Sequence, residues 1–421
     1  MTQLNAPSIP NPQQSHSARA RRHTRIFMSV FPLPSDFFRC PPLQPIDEDN
    51  LRAVGSANSI DVIQHARLQD GPIRWVLEAD ESDLLVYQGA DATAPPGTTT
   101  WIGTTQVMAS VDEVATLFRA DTSDAYRDSM RALFPDLLDA ATLYTIGGPS
   151  KMYPRHFLGI RWKCVRSPSR AVAKHRDFCL LESHHDFEIH GVTRGWAIAM
   201  TSLEVSACPD LYPSLGVVRA THYRAGLVFT EAARPGYLDA TQLLQTDVGR
   251  GVPSWLLAVV MKRRCRLLTQ LTQHIRRARL QGTPFLRDHQ LIPRHLRSRC
   301  FLCQHAFGLF MHKAQCRKCG EVVCRTCSML WQVQSDSIAT TTVRICTACS
   351  NARVATSWAQ VMRHVAGDTQ STNGSLIPSP TSIAVRSDPV AWRSIQAATA
   401  SQEVHLPRAV NERRRHRWTF E

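Results

Sequence analysis

The sequence predicts an α+β protein: an antiparallel sheet closed by a long C-terminal helix, then a small cysteine-rich module, with a basic tail at each end. Three observations carry this. Between residues 84 and 248, short runs rich in β-branched and aromatic residues recur at hairpin spacing. After Pro253, apolar residues return at helical spacing from Leu256 to Ile275. From Cys300 to Cys349, eight of the thirteen cysteines stand in four Cys-x-x-Cys pairs.

Residues 1–45 are rich in Pro, Ser, Gln and Arg and lack periodicity, so a disordered basic tail is expected there. The cluster Arg19, Arg21, Arg22 and Arg25 also fits a mitochondrial presequence, but the first eighteen residues lack Arg and contain prolines. A helix is expected over 47–68, opened by acidic residues. Strands are expected at 84–87 and 98–107. Ser110-Val111-Asp112-Glu113 is a capping box, opening a short helix to Phe118, and a second helix covers 125–133. Further strand-like runs lie at 141–146, 156–164, 176–181, 195–203, 216–229 and 241–248.

Pro253 then opens the long helix at its preferred first position. Leu256, Val260, Leu267, Leu268, Leu271 and Ile275 fall on one face, with arginines on the remainder. A solvated face is the first reading of those arginines; a membrane-facing stripe is the second. The longest apolar run, near Trp255–Met261, is far too short to span a bilayer. The net charge of +14 is uneven: residues 46–290 carry 27 basic and 27 acidic groups, so the excess sits in the tails and the cysteine module. Such a distribution suits an anionic membrane surface first and nucleic acid last.

The four cysteine pairs are separated by twelve, four and eighteen residues. A Cys-x-x-Cys turn aims two sulfurs at one point, and two turns complete a tetrahedral zinc site. Eight thiolates make two closed sites, structural because no position is left for water. Disulfides are the alternative, but no signal peptide is visible and regular two-residue gaps favour metal. Spacing alone leaves the pairing open between sequential and interleaved.

Cys316-Arg317-Lys318-Cys319-Gly320, followed by Cys324-Arg325-Thr326-Cys327-Ser328 and Arg344-Ile345-Cys346, resembles the core of a FYVE-type zinc finger. The resemblance implies a small treble-clef-type finger with two zinc ions as cofactors, and interleaved ligation: Cys300, Cys303, Cys324 and Cys327 on one, Cys316, Cys319, Cys346 and Cys349 on the other. It also implies recognition of a phosphoinositide, typically phosphatidylinositol 3-phosphate, placing the chain in the cytoplasm and peripherally on endosomal membrane. The aligned segment His312-Lys313-Ala314-Gln315-Cys316-Arg317 keeps Lys313 and Arg317 as cationic partners for phosphate. Ala314 and Gln315 replace the family's two histidines, and no W-x-x-D is visible in the upstream segment Leu291-Ile292-Pro293-Arg294-His295-Leu296. Arg344 is the third candidate headgroup ligand. Leu309 and Phe310 occupy the loop that such fingers insert into the bilayer; core packing is their alternative role.

The helix–strands–helices–strands–helix order fits a helix-grip fold. His175-Arg176-Asp177-Phe178, Gly216-Val217-Val218-Arg219 and Asp247-Val248-Gly249-Arg250-Gly251-Val252-Pro253-Ser254-Trp255-Leu256 resemble motifs of the START lipid-transfer family. That resemblance implies a START-like lipid-binding domain over 46–288. The finger with a short following helix, expected over 352–365, spans 295–365, and the Ser-, Thr-, Pro- and Ala-rich composition beyond it predicts a disordered basic tail at 366–421. The START resemblance also implies an apolar ligand held between sheet and helix, with Trp255, Leu256 and Val259 as candidate wall residues. A non-enzymatic lipid-binding protein is thus the first functional reading. A protein-interaction adaptor, with the finger as a scaffold and a protein as partner, is the second. His184, His185, Asp186 and His190 are the one cluster that tempts a catalytic reading, but 182–191 reads as a polar hairpin loop, and no catalytic residue is expected.

Overall fold

The computed structural model describes residues 30–169, 171–189, 193–249, 251–281, 284–308, 311–334 and 340–352. Helix α1 (Pro45–His65) precedes three strands, β1 (Arg74–Glu81), β2 (Leu84–Ala90) and β3 (Thr99–Val107). Helices α2 (Val111–Phe118) and α3 (Ser123–Leu133) lead to β4 (Leu137–Gly147), β5 (Phe157–Val165), β6 (Arg176–Ile189) and β7 (Thr193–Ser202). A short turn of helix, α4 (Tyr212–Leu215), precedes β8 (Val218–Arg219), β9 (Thr221–Glu231) and β10 (Leu238–Asp247). The sheet runs β1-β2-β3-β10-β9-β7-β6-β5-β4, antiparallel throughout, with β8 alone pairing in parallel, to β6.

The long helix is two helices, α5 (Ser254–Cys265) and α6 (Leu267–Leu280), joined at Arg266. Pro253 is the residue before α5 rather than its first turn. The pair covers one face of the sheet. Met261, Cys265, Leu268, Leu271 and Ile275 pack with Trp101, Trp196 and Phe229, while α2 and α3 add Phe118, Tyr126 and Met130. The approach is close at Gly103 of β3, where a Cβ would stand 2.6 Å from that of Cys265. This is the helix-grip arrangement. The α2 capping box is present in full, with the Ser110 hydroxyl accepting from the Glu113 N–H and the Glu113 carboxylate accepting from the Ser110 N–H.

The other face carries α1, whose Val62 and Leu51 are buried and whose Ser59 hydroxyl meets that of Ser183 at 2.8 Å. Within the expected disordered tail of 1–45, residues 30–45 are ordered. Residues 30–44 lie on this face, with Phe31 and Phe38 packed on Trp162 at 6.4 and 5.0 Å and the Leu33 N–H donating to buried Asp139. Apolar anchors inside a Pro-rich stretch outweigh its composition. Residues 1–29 and 353–421, with the remainder of the expected 352–365 helix, lie outside the described residues.

The finger follows with β11 (Ala314–Gln315), β12 (Val322–Val323), β13 (Ser328–Gln334), β14 (Thr340–Cys346) and α7 (Thr347–Asn351). It sits on the end of α6. Leu280 is buried in the finger's own core with Trp331, Val333 and Ile345. Arg279 donates to the α7 carbonyl of Asn351 at 3.4 Å, to the carbonyl of Met108 at 2.9 Å, and to the Glu113 carboxylate at 2.6 and 3.0 Å.

Candidate metal centres and the membrane-facing surface

Two groups of four sulfurs converge in the finger. Cys300, Cys303, Cys324 and Cys327 form one, and Cys316, Cys319, Cys346 and Cys349 the other, with ligand atoms all within 4.8 Å of each other. The arrangement is interleaved: the first and third pairs share a site, as do the second and fourth. A zinc–sulfur bond of about 2.3 Å in a tetrahedron puts sulfurs roughly 3.8 Å apart. Cys303 and Cys324 lie at 3.8 Å and Cys319 and Cys346 at 4.0 Å, so the donor set fits Zn2+ in size and chemistry. The chain therefore takes two zinc ions as structural cofactors.

Local backbone explains why the sulfurs meet. Gly320 turns at φ +79°, a left-handed conformation that a side chain disfavours, and lets the chain leave Cys319 toward β12. Amide donors favour the thiolate form. The N–H of Cys324 donates to Cys300 Sγ at 3.3 Å, and that of Cys346 to Cys316 Sγ at 3.3 Å. Burial works to raise the Cys300 thiol, yet the amides of Cys303, Cys324 and Leu302 outweigh it and bring it down to about 7.

Around this frame the sequence-predicted headgroup residues separate. Lys313 donates to the Arg294 carbonyl at 3.0 Å and lies 5.4 Å over the Phe307 ring. Arg294 itself, exposed, donates to Gln315 Oε1 at 3.0 Å, and Gln315 in turn donates to the Ile292 carbonyl at 2.8 Å. Thus Arg294, Lys313 and Gln315 form one cationic group. The sequence reading gave Arg294 no role. Arg317 faces elsewhere, pairing with Asp288 at 2.5 Å and donating to the Leu286 carbonyl at 3.2 Å. Its backbone N–H meets the Arg344 carbonyl at 2.9 Å, while the Arg344 side chain donates to the Ser328 hydroxyl at 3.2 Å. Leu309 and Phe310 lie outside the described residues; next to them Met311 is exposed, and Leu296 beside Arg294 is 61% exposed.

In the sheet domain the structure corrects two expectations. Residues 182–189 are not a loop but the second half of β6, paired to β7 throughout and, over Glu182–His184, to β5 as well. The polar side chains are there because they satisfy one another. Glu182 joins Arg161 in a buried ion pair, accepts from Lys163 at 2.9 Å and meets His184 Nε2 at 3.0 Å. Burial opposes the Glu182 charge, but Arg161, Lys163 and then His184 hold its pKa well below the usual carboxylate range. Strand alternation also breaks up the histidine cluster. His184 and Asp186 point to the helix-covered face, whereas His185 points away and contacts His156 at 5.0 Å. Burial, then His156 and His184, lower the His185 pKa to about 4. His190 lies outside the described residues.

The second correction concerns the ligand wall. Leu256 is buried, but Trp255 is 62% and Val259 53% exposed, on the outward face of α5. A one-face pattern marks a buried stripe; it does not say where the stripe's edge falls.

Residues 290–354 match the model of the FYVE zinc finger. No curated protein matches the chain. Among solved structures the chain is similar to the human StAR-related lipid transfer protein 5, at 15% identity and TM-score 0.42 over 54% of this chain and 97% of that one. It is similar to the lipid transfer and protein localization domain of human StarD13, at 15% identity and TM-score 0.37 over 56% and 98%. A STAR-related lipid transfer protein fragment from Xanthomonas axonopodis aligns at 19% identity and TM-score 0.35 over 48% and 98%. No helix among the described residues is long and apolar enough to cross a membrane.

Proposed function

We propose that this chain is a non-enzymatic lipid-binding protein. Its zinc-held finger docks on anionic, phosphoinositide-bearing membrane of endosomal type, and its START-like helix-grip domain holds an apolar ligand. The observation that carries the reading is the match of residues 290–354 to a FYVE zinc finger together with two converging four-cysteine clusters. Support for membrane contact comes from the grouping of Arg294 and Lys313 beside exposed Leu296 and Met311. Cations bind headgroup phosphate and apolar tips enter the interface, and attachment is stable when both act.

Lys313 and Arg294 are the primary headgroup contacts in this reading. Arg317 and Arg344 contribute through backbone placement, because Arg317 is already paired with Asp288. The test is charge reversal at the exposed pair, Arg294→Glu with Lys313→Glu. Flotation of the double variant with phosphoinositide-containing liposomes is expected to be lost while two zinc ions per chain remain. Unchanged flotation would remove the finger's basic group from membrane binding and leave the adaptor reading.

A further inference from the structure

Exposed apolar side chains gather at two ends of the molecule. One group is on the finger, where Leu296, Met311, Met329 and Leu330 face water. The other is at the start of α5, where Trp255 and Val259 stand one turn apart, 62% and 53% exposed. The helix pair sets the distance between them, because it runs along β3 from end to end. Lys262 lies 5.9 Å over Trp101, Cys265 packs against Gly103, and Arg279 donates to the carbonyl of Met108, one residue past the strand. Trp255 lies about two turns before Lys262, beyond the start of β3, and the finger is mounted at the other end on Leu280. At helical rise the two groups are roughly 40 Å apart.

Loops complete the end that carries Trp255. Arg176 donates to the Val248 carbonyl at 3.1 Å, which brings the segment 166–175 against the entry to α5. Val172, Lys174, Tyr212 and Gly251 line one open cleft there, with Val172 and Tyr212 exposed. Lys174 donates to the Tyr212 hydroxyl at 2.8 Å and lies 4.2 Å over its ring. Arg166 and Lys174 are exposed, and residues 166–175 include no acid. Asp210 is the one carboxylate in the cleft lining, and it accepts from the Tyr212 N–H at 3.0 Å. Aromatic and aliphatic tips beside lysine and arginine suit an anionic bilayer surface, where apolar tips enter the interface and cations meet headgroup phosphate.

The face between the two ends is polar. Arg263, Arg266, Gln270, Gln273 and Arg277 are exposed along it, while Leu268, Leu271 and Ile275 turn into the sheet. A helix that lies flat on a bilayer needs its apolar stripe outward. The pair does not meet that condition, so its two ends address separate surfaces.

We infer that the Trp255 end docks on a second anionic bilayer, so that a chain anchored by its finger on one membrane bridges to another. This rests on the reading of the finger as the membrane anchor and adds a contact at the opposite end. Two large side chains and a few cations hold a lone chain weakly. Many chains anchored side by side on one vesicle act together on the next, and the summed attachment is strong.

Dynamic light scattering of the full zinc-loaded chain tests it, on vesicles of phosphatidylcholine and phosphatidylserine containing phosphatidylinositol 3-phosphate, with flotation of the same samples. The wild type is expected to float and to raise the mean particle radius about threefold or more by clustering the vesicles. Trp255→Glu with Val259→Glu is expected to float as the wild type does while the rise in radius is lost. Both side chains are exposed, so the core and the two zinc ions are untouched by the change. Clustering that survives the double substitution, or a wild type that floats without clustering, overturns the second surface and leaves the finger reading standing. A wild type that is dimeric without vesicles, with the double variant monomeric, gives the patch to a second copy of the chain and overturns it as well. Loss of flotation by the variant puts both ends on one membrane and overturns the bridge. A wild type that does not float overturns both readings.

Discussion

The sheet domain and the finger are held by different means. The sheet domain buries a broad apolar face under two helices, with Trp101, Trp196 and Phe229 each almost fully removed from water, and Trp162 is as deeply buried on the other face. Its stability is spread over many side chains, each worth a few kcal/mol. The finger buries few side chains besides its own cysteines, among them Trp331, Val333, Val343 and Ile345. A core that small does not offset the entropy of ordering its chain, so the metal–sulfur bonds do. One region therefore fails gradually and the other fails with its ligand.

Metal removal separates the two regions most strongly. Binding at a structural zinc site is worth about 10–16 kcal/mol of apparent folding free energy at neutral pH. A strong chelator is therefore expected to abolish amide-exchange protection over 300–350 while leaving that of β3, β9 and β10 intact. Cys316→Ser is expected to lower bound zinc from two ions to one by metal analysis. Loss of protection across the sheet as well would show that the two regions fold as one.

The reverse perturbation is Trp162→Ala. This side chain is fully buried, donates to Asp177 at 2.9 Å and carries Phe31 and Phe38. Its truncation is expected to cost the sheet domain about 3–5 kcal/mol in denaturant titration. Zinc content should stay at two.

Smaller again is Arg279→Ala, which cuts the bridge. Arg279 ties Glu113 of α2 to Asn351 of α7, and removing it leaves a partly buried carboxylate without its partner. A loss of about 1–3 kcal/mol is expected. The changes in exchange should be confined to 108–113 and the finger's contact with α6; a change confined to the finger interior would contradict the bridging role.

The two regions also differed in how much of them could be read in advance. Zinc ligation needs residue types at fixed spacing, and four Cys-x-x-Cys pairs state it locally. Which pairs share an ion is a matter of three-dimensional approach, and it entered the sequence reading only through resemblance. The capping box at Ser110 and the hairpin-spaced strands were similarly local. The second half of β6 was not, because Glu182 and His184 are polar and the rule that polar runs are loops fails when the partners, Arg161 and Lys163, stand on the neighbouring strand. The outward placement of Trp255 was hidden for a related reason, since helical periodicity gives a face without its edges. Arg294 was visible but silent until Lys313 and Gln315 were seen against it.

The most direct measurement is liposome flotation of the wild-type chain, on vesicles with and without phosphatidylinositol 3-phosphate, before and after zinc chelation, with the metal counted by native mass spectrometry. The chain carrying two zinc ions is predicted to float with the phosphoinositide vesicles, and the chelated chain to stay at the bottom with its sheet domain still folded. Equal flotation after chelation, or on vesicles lacking the phosphoinositide, would contradict the account.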